Sequence, residues 1–105
     1  MITYEDFQKL ELRVGTVTTA IRVPDSDKLL QLQVNLGDET RQIVTGLAEI
    51  YEPEHFLNKQ IIIIANLEPR TFRGVQSHGM LLAADSDKPI LLIPETPVAP
   101  GTKVK

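Results

Sequence analysis

Residues 30–36 alternate without a break: Leu30, Leu32, Val34 and Leu36 are apolar, and Gln31, Gln33 and Asn35 between them are polar. Side chains along a strand point to opposite faces with period two, so a strand here buries one face and wets the other. A helix would scatter the same four apolar residues around its circumference. Gly37-Asp38 follows at once, and Arg41 to Thr45 then reads as the returning strand of a hairpin. An isolated hairpin is marginal in water, so the remaining chain must supply further strands.

Those strands are legible on both sides. Leu12 and Val14 are apolar at even positions, whereas Val17, Ile21 and Val23 are apolar at odd positions. The inward face changes parity around Gly15-Thr16, which predicts an inserted residue or a bend, the device by which a strand turns a barrel corner. Pro24 to Asp27 is a turn by composition. Gln60 to Asn66, with four isoleucines from Ile61 to Ile64, predicts a strand buried on both sides. Pro69 to Gln76 reads as a polar loop, and Gly79 to Ala84 and Ile90 to Ile93 as two further short strands.

Helix is scarce. Thr3 with Asp6 three residues on makes a capping box, and Tyr4, Phe7 and Leu10 give the short helix one apolar face before it ends near Leu10. Pro53 suits the first position of a single turn inside the loop from Glu49 to Leu57. With 105 residues the chain is one domain, 1–105, with one core. Five or so strands, one of them bent, favour a small closed or nearly closed all-β barrel over a sandwich, which needs about seven.

Catalytic and metal chemistry find no footing. The chain has no cysteine, which excludes disulfides, a thiolate zinc site and a cysteine nucleophile. His55 and His78 have no second ligand at metal spacing. Asp25/Asp27 and Asp85/Asp87 begin like calcium loops, but Leu30 and Ile90 stand where the sixth-position glycine belongs. Both pairs belong to a repeated Asp-Ser-Asp-Lys, which reads as shared turn chemistry. No phosphate-cradling glycine loop exists, and Ser77-His78 lies outside any nucleophile elbow. No enzyme and no cofactor are expected. No apolar run is longer than the five residues from Ile61 to Ala65, far short of the roughly 20 residues that span a bilayer. The N-terminus carries Glu5 and Asp6 and does not read as a secretory signal, so a soluble cytoplasmic protein is expected.

Eleven Lys and Arg against fourteen Asp and Glu give a net charge of −3, which counts against nucleic-acid binding. The distribution is less one-sided. Residues 12–24 hold Arg13 and Arg22, residues 69–84 hold Arg70 and Arg73, and neither stretch contains an acid. The segment from Asn66 to Met80 offers two guanidiniums with Phe72 between them. Guanidinium binds phosphate in a fork and an aromatic ring stacks on a base, although a solvated loop with Phe72 turned into the core has the same composition.

The same segment, with others, resembles a known family. The matching stretches run in order: Leu12-Arg13-Val14-Gly15, Asp27-Lys28-Leu29-Leu30, Leu36-Gly37, Thr45-Gly46-Leu47, Asn66-Leu67-x-Pro69-Arg70, and Gly74-Val75-x-Ser77-x-Gly79-Met80-Leu81-Leu82-Ala83. The pattern is similar to the tRNA-binding domain appended to the C-terminus of bacterial methionyl-tRNA synthetases, also found as free-standing dimeric tRNA-binding proteins. The resemblance implies a five-stranded OB-fold barrel with a short N-terminal helix and a C-terminal extension. It implies a non-catalytic homodimer that binds tRNA by shape, as part of a synthetase or in trans. Carried over, the tRNA-binding candidates are Arg13, Lys28, Arg41, Asn66, Arg70, Arg73, Ser77 and Met80, and the dimer candidates are Tyr4, Phe7, Leu10, Ile90, Leu92 and Val104. Several have a structural alternative: Asn66 and Ser77 as loop braces, Arg13 paired with Glu11, Met80 in the core. Glu68 stands where the family commonly has lysine, so weak, salt-sensitive affinity is expected. Some members of the broader family resemble secretion chaperones, which keeps a peptide-binding module as the alternative.

Overall fold

The computed structural model describes residues 1–105. Helix α1 (Tyr4–Gln8) is set by its cap. The Thr3 hydroxyl accepts the Asp6 N–H at 3.1 Å, and the Asp6 carboxylate accepts the Thr3 N–H at 3.2 Å. The Thr3 N–H bond and the Lys9 ammonium hold the Asp6 carboxyl below its usual range.

Strand β1 (Leu12–Arg22) is the hub. Its first half pairs with β4 (Gln60–Ile64), from Leu12 opposite Ile64 to Thr16 opposite Gln60. Its second half pairs with β2 (Leu30–Asn35), which pairs in turn with β3 (Thr40–Thr45). Beyond β4 comes β7 (Met80–Leu81), giving the order β3-β2-β1-β4-β7. The ends nearly meet. The His78 N–H donates to Gln42 O at 2.8 Å, and the buried Ser77 hydroxyl accepts the Val44 N–H at 2.9 Å and donates to Gly79 O at 2.9 Å. The result is the expected nearly closed, five-stranded antiparallel barrel of OB type.

The alternation in β2 is fully realised: Leu30, Leu32 and Val34 have no exposed surface and meet Val17, Ile43, Ile61 and Ile63 in the core. Phe56, delivered by the single 3-10 turn Pro53–His55, is also fully buried there. Strand β1 departs from expectation. Its pairing with β4 runs unbroken through Gly15, and the irregularity lies between Val17 and Thr19. Val17 stands opposite Val34 and Ala20 opposite Leu32, so Thr18 is the extra residue. The shift turns Ile21 outward, 52% exposed, rather than into the core. The parity break at Gly15 has another source. Leu12 and Val14 share the opposite face of the sheet from Gly15 and Val17, yet are themselves buried. Gly15 is needed because a Cβ there would collide with the Val34 and Leu36 side chains.

The tail runs along the free edge of β1 at Leu12 to Val14. Gly101 N–H donates to Val14 O at 2.7 Å, Val14 N–H to Thr102 O at 2.8 Å, and Val104 N–H to Leu12 O at 2.9 Å. That edge is therefore covered. Gly101 has φ +90, and a Cβ there would fall on Leu36 O.

Three further expectations change. Strand β4 is buried on one face only, with Ile62 and Ile64 partly exposed. The stretch expected as a loop is a hairpin, β5 (Arg70–Phe72) with β6 (Val75–Ser77), whose central Arg73 and Gly74 have φ +51 and +80. The strand expected over 79–84 divides: β7 stays in the barrel, and β8 (Ala83–Asp85) pairs with β9 (Pro89–Leu91) as a separate ribbon.

Candidate nucleic-acid interface

Two loops meet at one mouth of the barrel. The β1–β2 connection carries Ser26 to Leu29, and the β5–β6 hairpin between β4 and β7 carries Phe72 and Arg73. Together they line an open cavity of about 360 Å³. The Arg73 guanidinium donates to Asp25 O at 3.3 Å, which ties the two loops together. The Lys28 ammonium takes part in no ion pair. Arg70 lies over the Phe72 ring, 4.9 Å from its centroid, and is itself exposed. Arg70 and Phe72 also border a smaller adjoining cleft with Leu67, Glu68 and Met80, so Met80, 41% exposed, belongs to the rim and not to the core. Lys28, Arg70, Arg73 and Met80 are thus brought to one surface. Asp27 and Glu68 share it and weaken its positive potential.

The other four candidates spend their polar atoms inside the protein. Arg13 donates to Gly101 O at 3.2 Å and Leu36 O at 3.0 Å, and pairs with Asp38 at 3.2 Å and Glu11 at 3.6 Å. It locks the tail to the barrel. Arg41 pairs with Glu39 and donates to Ala65 O and His78 O, bridging the closure between β3 and β7. Asn66 accepts the Glu11 N–H at 2.8 Å and donates to Lys9 O at 2.7 Å, fixing the link from α1 to β1. Ser77 is buried with both hydrogen bonds made.

A glutamine cluster extends the surface onto the outer face of β2 and β3, and the sequence reading did not single it out. Gln31 and Gln33 each donate to the Gln42 side-chain oxygen, at 3.1 and 3.0 Å, and Gln42 donates to Gln76 O at 2.8 Å. The signal was present in the polar half of the alternation at 31–35. Of the apolar candidates for self-association, Tyr4, Phe7, Leu10 and Val104 line a single small cleft between α1 and the tail. Ile90 and Leu92 lie apart from it, each more than 40% exposed, on and just beyond β9. No helix is long and apolar enough to cross a membrane.

The sequence profile of a family described as "Putative tRNA binding domain" matches residues 12–103. The methionine–tRNA ligase of Archaeoglobus fulgidus is 52% identical over 104 residues, which is 98% of this chain and 16% of the ligase. The chain thus spans about a sixth of the length of such relatives. Among solved structures, a MetRS-related protein from Pyrococcus horikoshii superposes with a TM-score of 0.91 at 34% identity, covering 100% of this chain and 98% of that one. The chaperone CsaA of Bacillus anthracis superposes with a TM-score of 0.89 at 28% identity, covering 100% and 99%.

Proposed function

The chain belongs to the tRNA-binding domain family, and from that premise we propose that it is a non-catalytic module that binds tRNA at the mouth between the β1–β2 connection and the β5–β6 hairpin. The single observation that carries this reading is the joining of those loops, with Lys28, Arg70 and Arg73 exposed around them. OB folds bind oligonucleotides on the face of strands 2 and 3 and on the loops between strands 1–2 and 4–5, the places these residues occupy. Lys28, Arg70 and Arg73 contact phosphates; Phe72 and Met80 offer apolar contact; Gln31 and Gln33 present amides beside them. Arg41 and Ser77 brace the barrel closure beside the hairpin, while Arg13 and Asn66 fix the tail and α1 to β1. Shape, rather than base sequence, is what a few phosphate contacts and apolar surfaces can read.

The chain acts as a homodimer, joined through Tyr4, Phe7, Leu10 and Val104, with Ile90 and Leu92 as further contacts, in the cytoplasm. It serves as an appended domain of methionyl-tRNA synthetase or as its partner in trans. Support comes from the ligase relatives and from the apolar cleft between α1 and the tail.

The test is an anisotropy titration with unfractionated tRNA, with duplex DNA of equal length in phosphates as control. Saturable binding that prefers tRNA supports the reading, and equal affinity for both removes shape recognition. A second reading, peptide binding, is favoured by the likeness to CsaA and by Leu67 and Met80 exposed on the same rim. Competition of tRNA by an unfolded apolar peptide separates the two.

A further inference from the structure

A second cavity shares no residue with the mouth described above. It is an open groove of about 280 Å³ between the β3–β4 connection and the segment at β9, lined by Tyr51, His55, Lys59, Lys88, Ile90 and neighbours. The His55 ring stacks on Tyr51 with centroids 4.4 Å apart and planes 8° from parallel. The Tyr51 hydroxyl donates to Pro89 O at 2.5 Å, which holds the aromatic pair against the β9 segment. The Lys88 ammonium lies 5.7 Å from the Tyr51 centroid. Neither Lys59 nor Lys88 is in an ion pair, on a chain with three more acids than bases. Both lysines, after burial, push the His55 imidazole below its usual range.

Two ammoniums without a carboxylate partner border one cavity, and an anion there compensates their charge while the neutral imidazole offers one N–H donor. A phosphate matches them better than a carboxylate: it carries more charge and has acceptor oxygens for three donors. The flat His55–Tyr51 pair suits a sugar or base attached to it, and Ile90, at the edge of the cavity, is left to the dimer contact. The volume lies just below the range for drug-sized ligands, roughly 300–1,000 Å³, which limits the occupant to a single nucleotide unit. We infer that the cavity between His55, Lys59 and Lys88 is a binding site for the phosphate of a nucleotide, supplied by a free nucleotide or by an RNA backbone.

The experiment follows the His55 ring resonances by NMR at constant ionic strength, with inorganic phosphate, AMP, glutarate and a short single-stranded RNA as probes. His78→Gln removes the only other imidazole signal. Saturable shifts with phosphate and AMP are expected, with a Kd of about 1 mM or tighter for AMP. The His55 titration midpoint should rise on binding, since an adjacent anion favours imidazolium. Lys59→Gln with Lys88→Gln should weaken AMP at least about five-fold, in protein whose fold and sedimentation are unchanged. Displacement of AMP by the RNA identifies the backbone as the source, and AMP binding without displacement identifies a free nucleotide. Absence of a saturable shift overturns the site, as does equal binding of glutarate or an unaltered response in the lysine variant. Arg70→Ala with Arg73→Ala must leave AMP binding intact, so this site and the tRNA mouth fail separately.

Discussion

Ser77→Ala separates a structural serine from a ligand contact. Ser77 is 3% exposed, and its hydroxyl serves two backbone groups, the Val44 N–H and the Gly79 carbonyl, both at 2.9 Å. Those bonds stitch β3 to the segment entering β7, where the barrel has little backbone pairing of its own. Alanine fits the space but orphans both groups. An unsatisfied buried polar group costs about 1–3 kcal/mol, and two losses at one hydroxyl do not add in full, so the variant should lose about 2–4 kcal/mol. A chain of 105 residues has roughly 5–15 kcal/mol in total. In urea, with a slope of about 1.5 kcal/mol per molar, the midpoint should fall by roughly 1–3 M. Ser77 floors the cleft beside Met80, but its hydroxyl is committed to two backbone partners, so tRNA affinity of the folded fraction should stay within about two-fold. An unfolding midpoint that barely moves, together with a several-fold loss of tRNA affinity, would refute the bracing role and return Ser77 to the interface.

Arg13→Ala removes the bonds to Gly101 O and Leu36 O. It should cost about 2 kcal/mol and speed amide exchange at Gly101 and Val104, whose N–H groups bind β1; unchanged protection there would contradict a tail held by Arg13. Asp6 has its carboxyl lowered chiefly by the Thr3 N–H, so its contribution to α1 is complete above the ordinary value of 3.8 and is lost as pH falls through the lower, folded value. The Thr3 and Asp6 amide shifts should therefore keep their capped positions at pH 4 and move only in more acid solution; movement centred above 4 would contradict the cap. Sedimentation equilibrium should give twice the 11.7-kDa chain mass, falling toward one chain in Phe7→Glu; a wild-type monomer at tens of micromolar would defeat the dimer.

What was legible in the sequence was local. The alternation at 30–36 and the Thr3/Asp6 box each state their structure within a few residues, and both formed as read. Strand β1 misled because burial of Leu12 and Val14 belongs to the fold around them, including the tail near residue 102, and no window around Gly15 contains that. The β5–β6 hairpin was hidden because Arg73-Gly74 is not the Asn-Gly or Asp-Gly pair that signals two positive φ values. At the site, Arg70 and Arg73 stood out by composition, whereas Lys28 entered only through resemblance. The bracing roles of Arg13, Arg41, Asn66 and Ser77 depend on partners 23 to 88 residues away in most cases. A side chain's type announces that it will bond, but such distances leave its partner to the fold.

The salt dependence of tRNA binding, compared between the wild type and Arg70→Ala/Arg73→Ala, tests the central claim most directly. Three cations at one mouth give a logarithmic slope of about −2.1 to −2.7, so affinity should fall roughly 20- to 40-fold between 50 and 200 mM salt. The double variant keeps Lys28 alone, so its slope should flatten to about −1 and its loss to roughly three-fold, with weaker binding at low salt. A folded double variant with the wild-type slope would place the phosphates elsewhere on the molecule and contradict the account.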